Sequence, residues 1–106
     1  MFGFLKNLGQ AGPTSEELKK YKADGATFLD VRTPMEYAEG HLEGAPNIPI
    51  QVIDQQLENI RKMKQPIITY CRSGARAGSA TNYLKQHGIE SINAGGFASL
   101  YQSLNS

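Results

Sequence analysis

Ile67-Ile68-Thr69-Tyr70-Cys71-Arg72-Ser73-Gly74-Ala75-Arg76-Ala77-Gly78 is the stretch on which the reading of this chain turns. A short apolar run of β type ends in the protein's only cysteine. Loop-type residues follow, mostly small, and then a helical pattern begins. A strand that hands a cysteine to the mouth of a helix places its sulfur where backbone N–H groups converge. The helix N-terminus carries partial positive charge and unsatisfied donors. Anions bind at such a place, and cysteines there react as thiolates. Arg72 and Arg76 add formal positive charge. The residues alone point to a reactive thiolate in an anion-binding cradle.

Outward from this stretch, strand and helix signals alternate. Ala75 to His87 reads as a helix with Ala77, Ala80, Tyr83 and Leu84 on its packed side, and Gly88 stops it. Ile89-Glu90-Ser91-Ile92-Asn93 reads as a short strand. Gly95-Gly96 then turns the chain into a last helix with Phe97, Leu100, Tyr101 and Leu104. Toward the N-terminus, Pro66 opens the Cys71 strand. Val52, Ile53, Leu57, Ile60 and Met63 fall at helical intervals, so 51–63 is expected as one helix, with a break allowed. Pro46 and Pro49 deny the segment before it a central place in a sheet. Thr33-Pro34-Met35-Glu36 and Thr14-Ser15-Glu16-Glu17 each have the capping-box form and predict helix starts. Thr27-Phe28-Leu29-Asp30-Val31 reads as a buried strand. This alternation predicts an α/β fold, a parallel sheet covered on both faces, with ligands beyond the carboxyl ends of its strands. Cys71 lies at such an end.

The 106 residues make one domain, divided here into an N-terminal leader segment, 1–12, and the domain proper, 13–106. A formal net charge of +1 gives no support for nucleic acid or a membrane surface as a partner. One cysteine excludes an internal disulfide and a multi-cysteine metal site, and two histidines leave zinc few ligands. No metal is expected. The apolar start, Met1-Phe-Gly-Phe-Leu5, is too short for a signal-peptide core, and the free thiol suits a reducing compartment, so the expected location is cytoplasmic.

A thiolate at residue 71 can attack a sulfane sulfur, a phosphorus, an arsenic or a carbonyl carbon. Acyl chemistry needs a base beside the sulfur. His87 falls at the far end of the helix that starts beside Cys71, roughly 15 Å away at ~1.5 Å per residue. His41 lies in a loop after another strand. The thiolate must therefore be held mainly by backbone donors and by arginine. Arg72 and Arg76 steer an anionic donor, remain solvated, or pair with acidic neighbours; all three readings stay open.

The chain resembles the single-domain rhodaneses, a sulfurtransferase family, over about residues 13–101. Four stretches carry the resemblance: Leu29-Asp30-Val31-Arg32-Thr33-Pro34-Met35-Glu36-Tyr37; Gly40-His41-Leu42-Glu43-Gly44-Ala45-Pro46-Asn47-Ile48-Pro49; Tyr70 to Ala77; and Asn93-Ala94-Gly95-Gly96. It implies a three-layer α/β/α domain whose mostly parallel sheet has four to five strands. It implies that Cys71 becomes a persulfide, wrapped by the loop Arg72, Ser73, Gly74, Ala75 and Arg76, with Asp30 and Arg32 bracing nearby loops. A small donor such as thiosulfate would supply the sulfur, and cyanide, a thiol or a protein would accept it. No cofactor beyond the covalent persulfide is implied, and the chain is expected as a monomer. A rival reading from another class is a sulfur-carrier or protein-binding module without turnover. Cysteine phosphatases and arsenate reductases are disfavoured by loop length. In those phosphatases the arginine stands six positions after the cysteine; here that place is Ala77 and Arg76 comes one residue earlier. Ser73, Gly74 and Ala75 let the backbone close around a single sulfur. The family often has a tryptophan in its last helix, where Leu100 stands in this chain.

Overall fold

A computed structural model describes residues 12–106. The expected leader therefore lies, apart from Gly12, outside the described residues. The first helix, α1 (Ser15–Ala23), starts on a complete capping box: Glu17 N–H donates to Thr14 Oγ1 at 3.1 Å, and Thr14 N–H donates to Glu17 Oε1 at 2.8 Å. Gly25, with φ +83°, turns the chain into β1 (Thr27–Asp30). A second box on Thr33 and Glu36, with Pro34 at the first helical position, starts α2 (Pro34–Glu39).

The expected single helix over 51–63 is divided. A 3-10 helix (Ile50–Gln56) gives way to α3 (Leu57–Arg61), and neither start has a side-chain cap. Ile53 and Ile60 still face inward and are buried, which was the periodic signal. Then come β2 (Ile67–Cys71), α4 (Ala75–Gln86), β3 (Ser91–Gly96) and α5 (Phe97–Leu104). The last strand runs further than Ile89–Asn93 suggested: Gly95 and Gly96 belong to its end, and α5 follows directly.

The three strands form a parallel sheet in the order β1-β2-β3. The fold class is the expected α/β one, but the strand count is a correction. Three strands are present among the described residues, not four or five. A further segment reaches the sheet at one isolated parallel bridge, Asp30–Asn47. Pro46 and Pro49 explain why it goes no further. Around them Asp30 N–H donates to Pro46 O and Ile48 N–H to Asp30 O, both at 2.9 Å, but neither proline has an N–H to extend the ladder.

Every residue of β2 is buried, because the strand is central and covered on both faces. Alternation sorts its side chains. Ile67 and Cys71 join the cluster of Leu29, Val31, Ala77, Ala80 and Leu84 under α4 and α3. Ile68 and Tyr70 join Leu18, Phe28 and Leu100 under α1 and α5. Thus the sheet is the middle layer of three, and the sulfur lies on its α4 side. The β2–β3 register shifts between Thr69 and Cys71, which brings Gly96 beside Cys71. A Cβ on Gly96 would stand 2.5 Å from the Arg72 carbonyl oxygen, so only glycine permits that approach. No helix among the described residues is long and apolar enough to cross a membrane.

Candidate active site

Cys71 ends β2 and is fully buried. Three residues later Gly74, at φ +99°, occupies the left-handed region and serves as the N-cap of α4 without a side-chain cap. The first N–H groups of α4 thus lack the oxygen that usually satisfies one of them. The sulfur takes that place. Gly74 N–H donates to Cys71 Sγ at 3.0 Å and Ala77 N–H donates to it at 3.4 Å. The N–H groups of Ser73, Ala75 and Arg76 have no protein acceptor among the described residues. Sequence counting ended the cradle at Arg76. Ala77 extends it by one donor, as the third residue of a helix is expected to do.

Two further elements hold this loop in shape. From α4, the Ala77 carbonyl accepts from Thr69 Oγ1 at 3.1 Å, and Thr69 Oγ1 is 2.7 Å from Thr81 Oγ1. From β3, Asn93 Nδ2 donates to the Gly74 carbonyl at 3.1 Å, while Asn93 Oδ1 accepts from Gly95 N–H at 2.8 Å. A Cβ on Gly74 would lie 3.2 Å from Gly95 Cα, so loop and strand end meet backbone to backbone.

The two arginines of the loop do different things. Arg76 turns to α2 and makes a two-pronged ion pair with Glu36, Nη1 to Oε1 at 2.7 Å and Nη2 to Oε2 at 3.0 Å. Its hydrogen bond to Glu36 holds the guanidinium above its ordinary value. The same bond, helped by Thr33 N–H, holds the Glu36 carboxyl down at about 2. Arg72 is exposed and has no ion-pair partner among the described residues. Of the readings left open, pairing describes Arg76, and a solvated cation available to an anion describes Arg72.

The Cys71 sulfur is thus buried beneath a partly exposed helix mouth, with two backbone N–H groups closed on it. The rhodanese-like domain model matches residues 14–103. The chain belongs to the rhodanese-like domain family. It is 41% identical over 76 residues to a sulfurtransferase of Allochromatium vinosum, covering 70% of each chain. It is 39% identical over 67 residues to the uncharacterized protein YqhL of Bacillus subtilis, covering 63% of this chain but 52% of that one. Among solved structures, SSP1007 from Staphylococcus saprophyticus superposes with a TM-score of 0.72 at 31% identity, over 86% of this chain and 93% of the other.

The other two residues expected near the loop, Asp30 and Arg32, form an ion pair with each other. Arg32 Nε donates to Asp30 Oδ1 and Oδ2 at 3.0 Å, and its Nη2 donates to Oδ2 at 2.7 Å and to the Gly40 carbonyl at 2.6 Å. Both residues are buried, and the Asp30 hydrogen bonds hold the Arg32 guanidinium above its ordinary value. The guanidinium lies 4.6 Å from the Phe97 ring centroid. This pair ties the end of β1 to the end of α2, the element that carries Glu36. Neither histidine hydrogen-bonds to the sulfur. His41 stacks on Tyr37 with ring centroids 3.6 Å apart, and His87 Nδ1 lies 2.9 Å from the Tyr83 carbonyl at the far end of α4. Among the described residues no group of three or more His, Cys, Asp or Glu is gathered as a metal site. The residues that sequence reasoning did not single out for the site are Asn93 and the Glu36 carboxylate as partner of Arg76. Both were visible only as motif letters.

Proposed function

We propose that this rhodanese-like chain is a sulfurtransferase that carries a sulfane sulfur on Cys71 as a persulfide. In the first step the Cys71 thiolate attacks the outer sulfur of a donor such as thiosulfate. The donor's S–S bond breaks, its electron pair leaves with sulfite, and a new S–S bond forms on Cys71. The persulfide keeps one negative charge. In the second step an acceptor nucleophile attacks the outer sulfur, and the electron pair of the breaking bond returns to Cys71. With cyanide the product is thiocyanate; a small-molecule or protein thiol attacks as its thiolate and leaves as the persulfide. The observation that carries this reading is the pair of N–H groups already on Cys71 Sγ, with three more in the same loop that have no protein acceptor among the described residues. A small anion at that position meets fixed amide dipoles that need no reorganisation as charge shifts between sulfurs. No general acid is required, because the leaving groups depart as anions, and no general base, because Cys71 attacks as the thiolate. No metal or organic cofactor enters the cycle. Arg72 attracts the anionic donor, while Arg76 and Glu36 hold α4 against α2. The chain acts as a cytoplasmic monomer, where a lone thiol stays reduced.

Steady-state thiocyanate formation from thiosulfate and cyanide tests the proposal. Activity in the wild type and its loss in Cys71→Ala are expected. Equal, negligible rates in both would remove turnover and leave a carrier or binding module.

A further inference from the structure

We propose that Asn93 is a positioning residue for persulfide formation: its carboxamide sets the direction of the Ala75 N–H by clamping the Gly74 carbonyl. The inference rests on the sulfur-transfer reading of Cys71. Its geometric part stands without it.

Both ends of the Asn93 side chain are used, and in one orientation only. Oδ1 accepts from Gly95 N–H at 2.8 Å, and Nδ2 donates to Gly74 O at 3.1 Å. The reverse orientation would set a donor against a donor and an acceptor against an acceptor. Gly74 O also accepts from Gly78 N–H at 2.9 Å, the first turn of α4. Gly74 N–H is spent on Cys71 Sγ. Each polar group of Gly74 is therefore fixed, one by the sulfur and the other by Asn93 and α4.

The Gly74–Ala75 peptide is trans, so its C=O and N–H point in opposite directions. Holding the carbonyl toward Asn93 turns the Ala75 N–H away from β3, where it has no protein acceptor among the described residues. Gly74 has left-handed φ and no Cβ, so without the clamp only the Gly78 N–H of the first turn of α4 holds this peptide. The clamp joins the active loop to the middle of β3 across 19 residues of sequence. It acts on the amide of the loop and does not touch Cys71. Asn93 thus supplies what a glycine-rich cradle lacks, a fixed orientation for its donors before the donor molecule arrives.

The decisive variant is Asn93→Asp. It retains the acceptor for Gly95 N–H but turns a second carboxylate oxygen on the Gly74 carbonyl. Asn93→Ala, which removes both contacts, is the companion. Two measurements are made on each full chain. In single-turnover loading with thiosulfate, followed by quenched intact mass, loading at saturation slows by about tenfold or more while half-saturating thiosulfate stays within about twofold. In amide hydrogen exchange by NMR, exchange at Gly78, whose N–H donates to the clamped Gly74 carbonyl, rises by about tenfold while Ile68 and Tyr70 in β2 keep wild-type protection. Unchanged loading and unchanged Gly78 exchange in both variants overturn the proposal. So does slower loading that tracks loss of protection in β2, since that marks a general loss of stability. A wild type that takes up no sulfur refutes the transfer reading instead, and the exchange comparison still decides whether Asn93 orients the loop.

Discussion

Replacing Glu36 by glutamine and Arg76 by alanine, singly and together, measures what fastens the active loop to α2. Glutamine leaves the helix start intact, because its carbonyl oxygen still accepts from Thr33 N–H. What it removes is the charge and the two-pronged acceptance from Arg76 at 2.7 and 3.0 Å. The side chains are 24% and 32% exposed, so solvent screens the pair in part. Its coupling should be about 1 to 1.5 kcal/mol, above an ordinary exposed pair and below a fully buried one. For a chain of this size that corresponds to roughly 4–8 °C in Tm. The pH dependence follows from Glu36, whose carboxyl is lowered from 4.5 to about 2 by Arg76 first and Thr33 N–H next. As pH falls, the unfolded chain takes up this proton before the folded one does. The stabilisation is therefore complete above 4.5 and drains away between 4.5 and about 2. Urea unfolding of the four chains, followed by circular dichroism at about pH 7 and again at about pH 3, reads both effects. A coupling below about 0.3 kcal/mol at neutral pH would refute the account of the pair. So would a Glu36→Gln deficit that is no smaller in acid.

Asp30→Asn leaves the buried Arg32, 6% exposed, without its counter-charge. It should cost about 3–5 kcal/mol by urea unfolding, a large share of the stability of a small domain; a loss under about 1 kcal/mol would contradict the bracing role. Arg72→Ala should raise the KM for thiosulfate about three- to tenfold and flatten its dependence on ionic strength, with Tm unchanged. The same effect with an uncharged sulfane donor would remove the steering argument.

The parts legible in the sequence were those governed by neighbours along the chain. Both capping boxes formed as read, because a hydroxyl and a glutamate three residues on need only each other. The strand ending at Cys71 and the helix after it were equally plain, since an unbroken apolar run and a small-residue turn are local signals. The resemblance to rhodaneses rested on the same ordered stretches and agrees with the family match over 14–103. What stayed hidden depends on the folded topology. Glu36 meets Arg76 across 40 residues, and Asn93 meets Gly74 across 19. Nothing in either local pattern announces a second partner for a capping glutamate or a task for a mid-strand asparagine. The strand count failed for a similar reason. The segment around Asn47 does lie beside β1, but how much of it joins the ladder depends on which N–H groups Pro46 and Pro49 withhold.

Intact-mass measurement of the reduced chain after brief exposure to thiosulfate addresses the Cys71 persulfide itself. The wild type should gain one sulfur, about 32 Da, lose it again with cyanide, and Cys71→Ala should gain nothing. A wild-type mass that does not change, or a gain that persists in Cys71→Ala, would contradict the persulfide on Cys71.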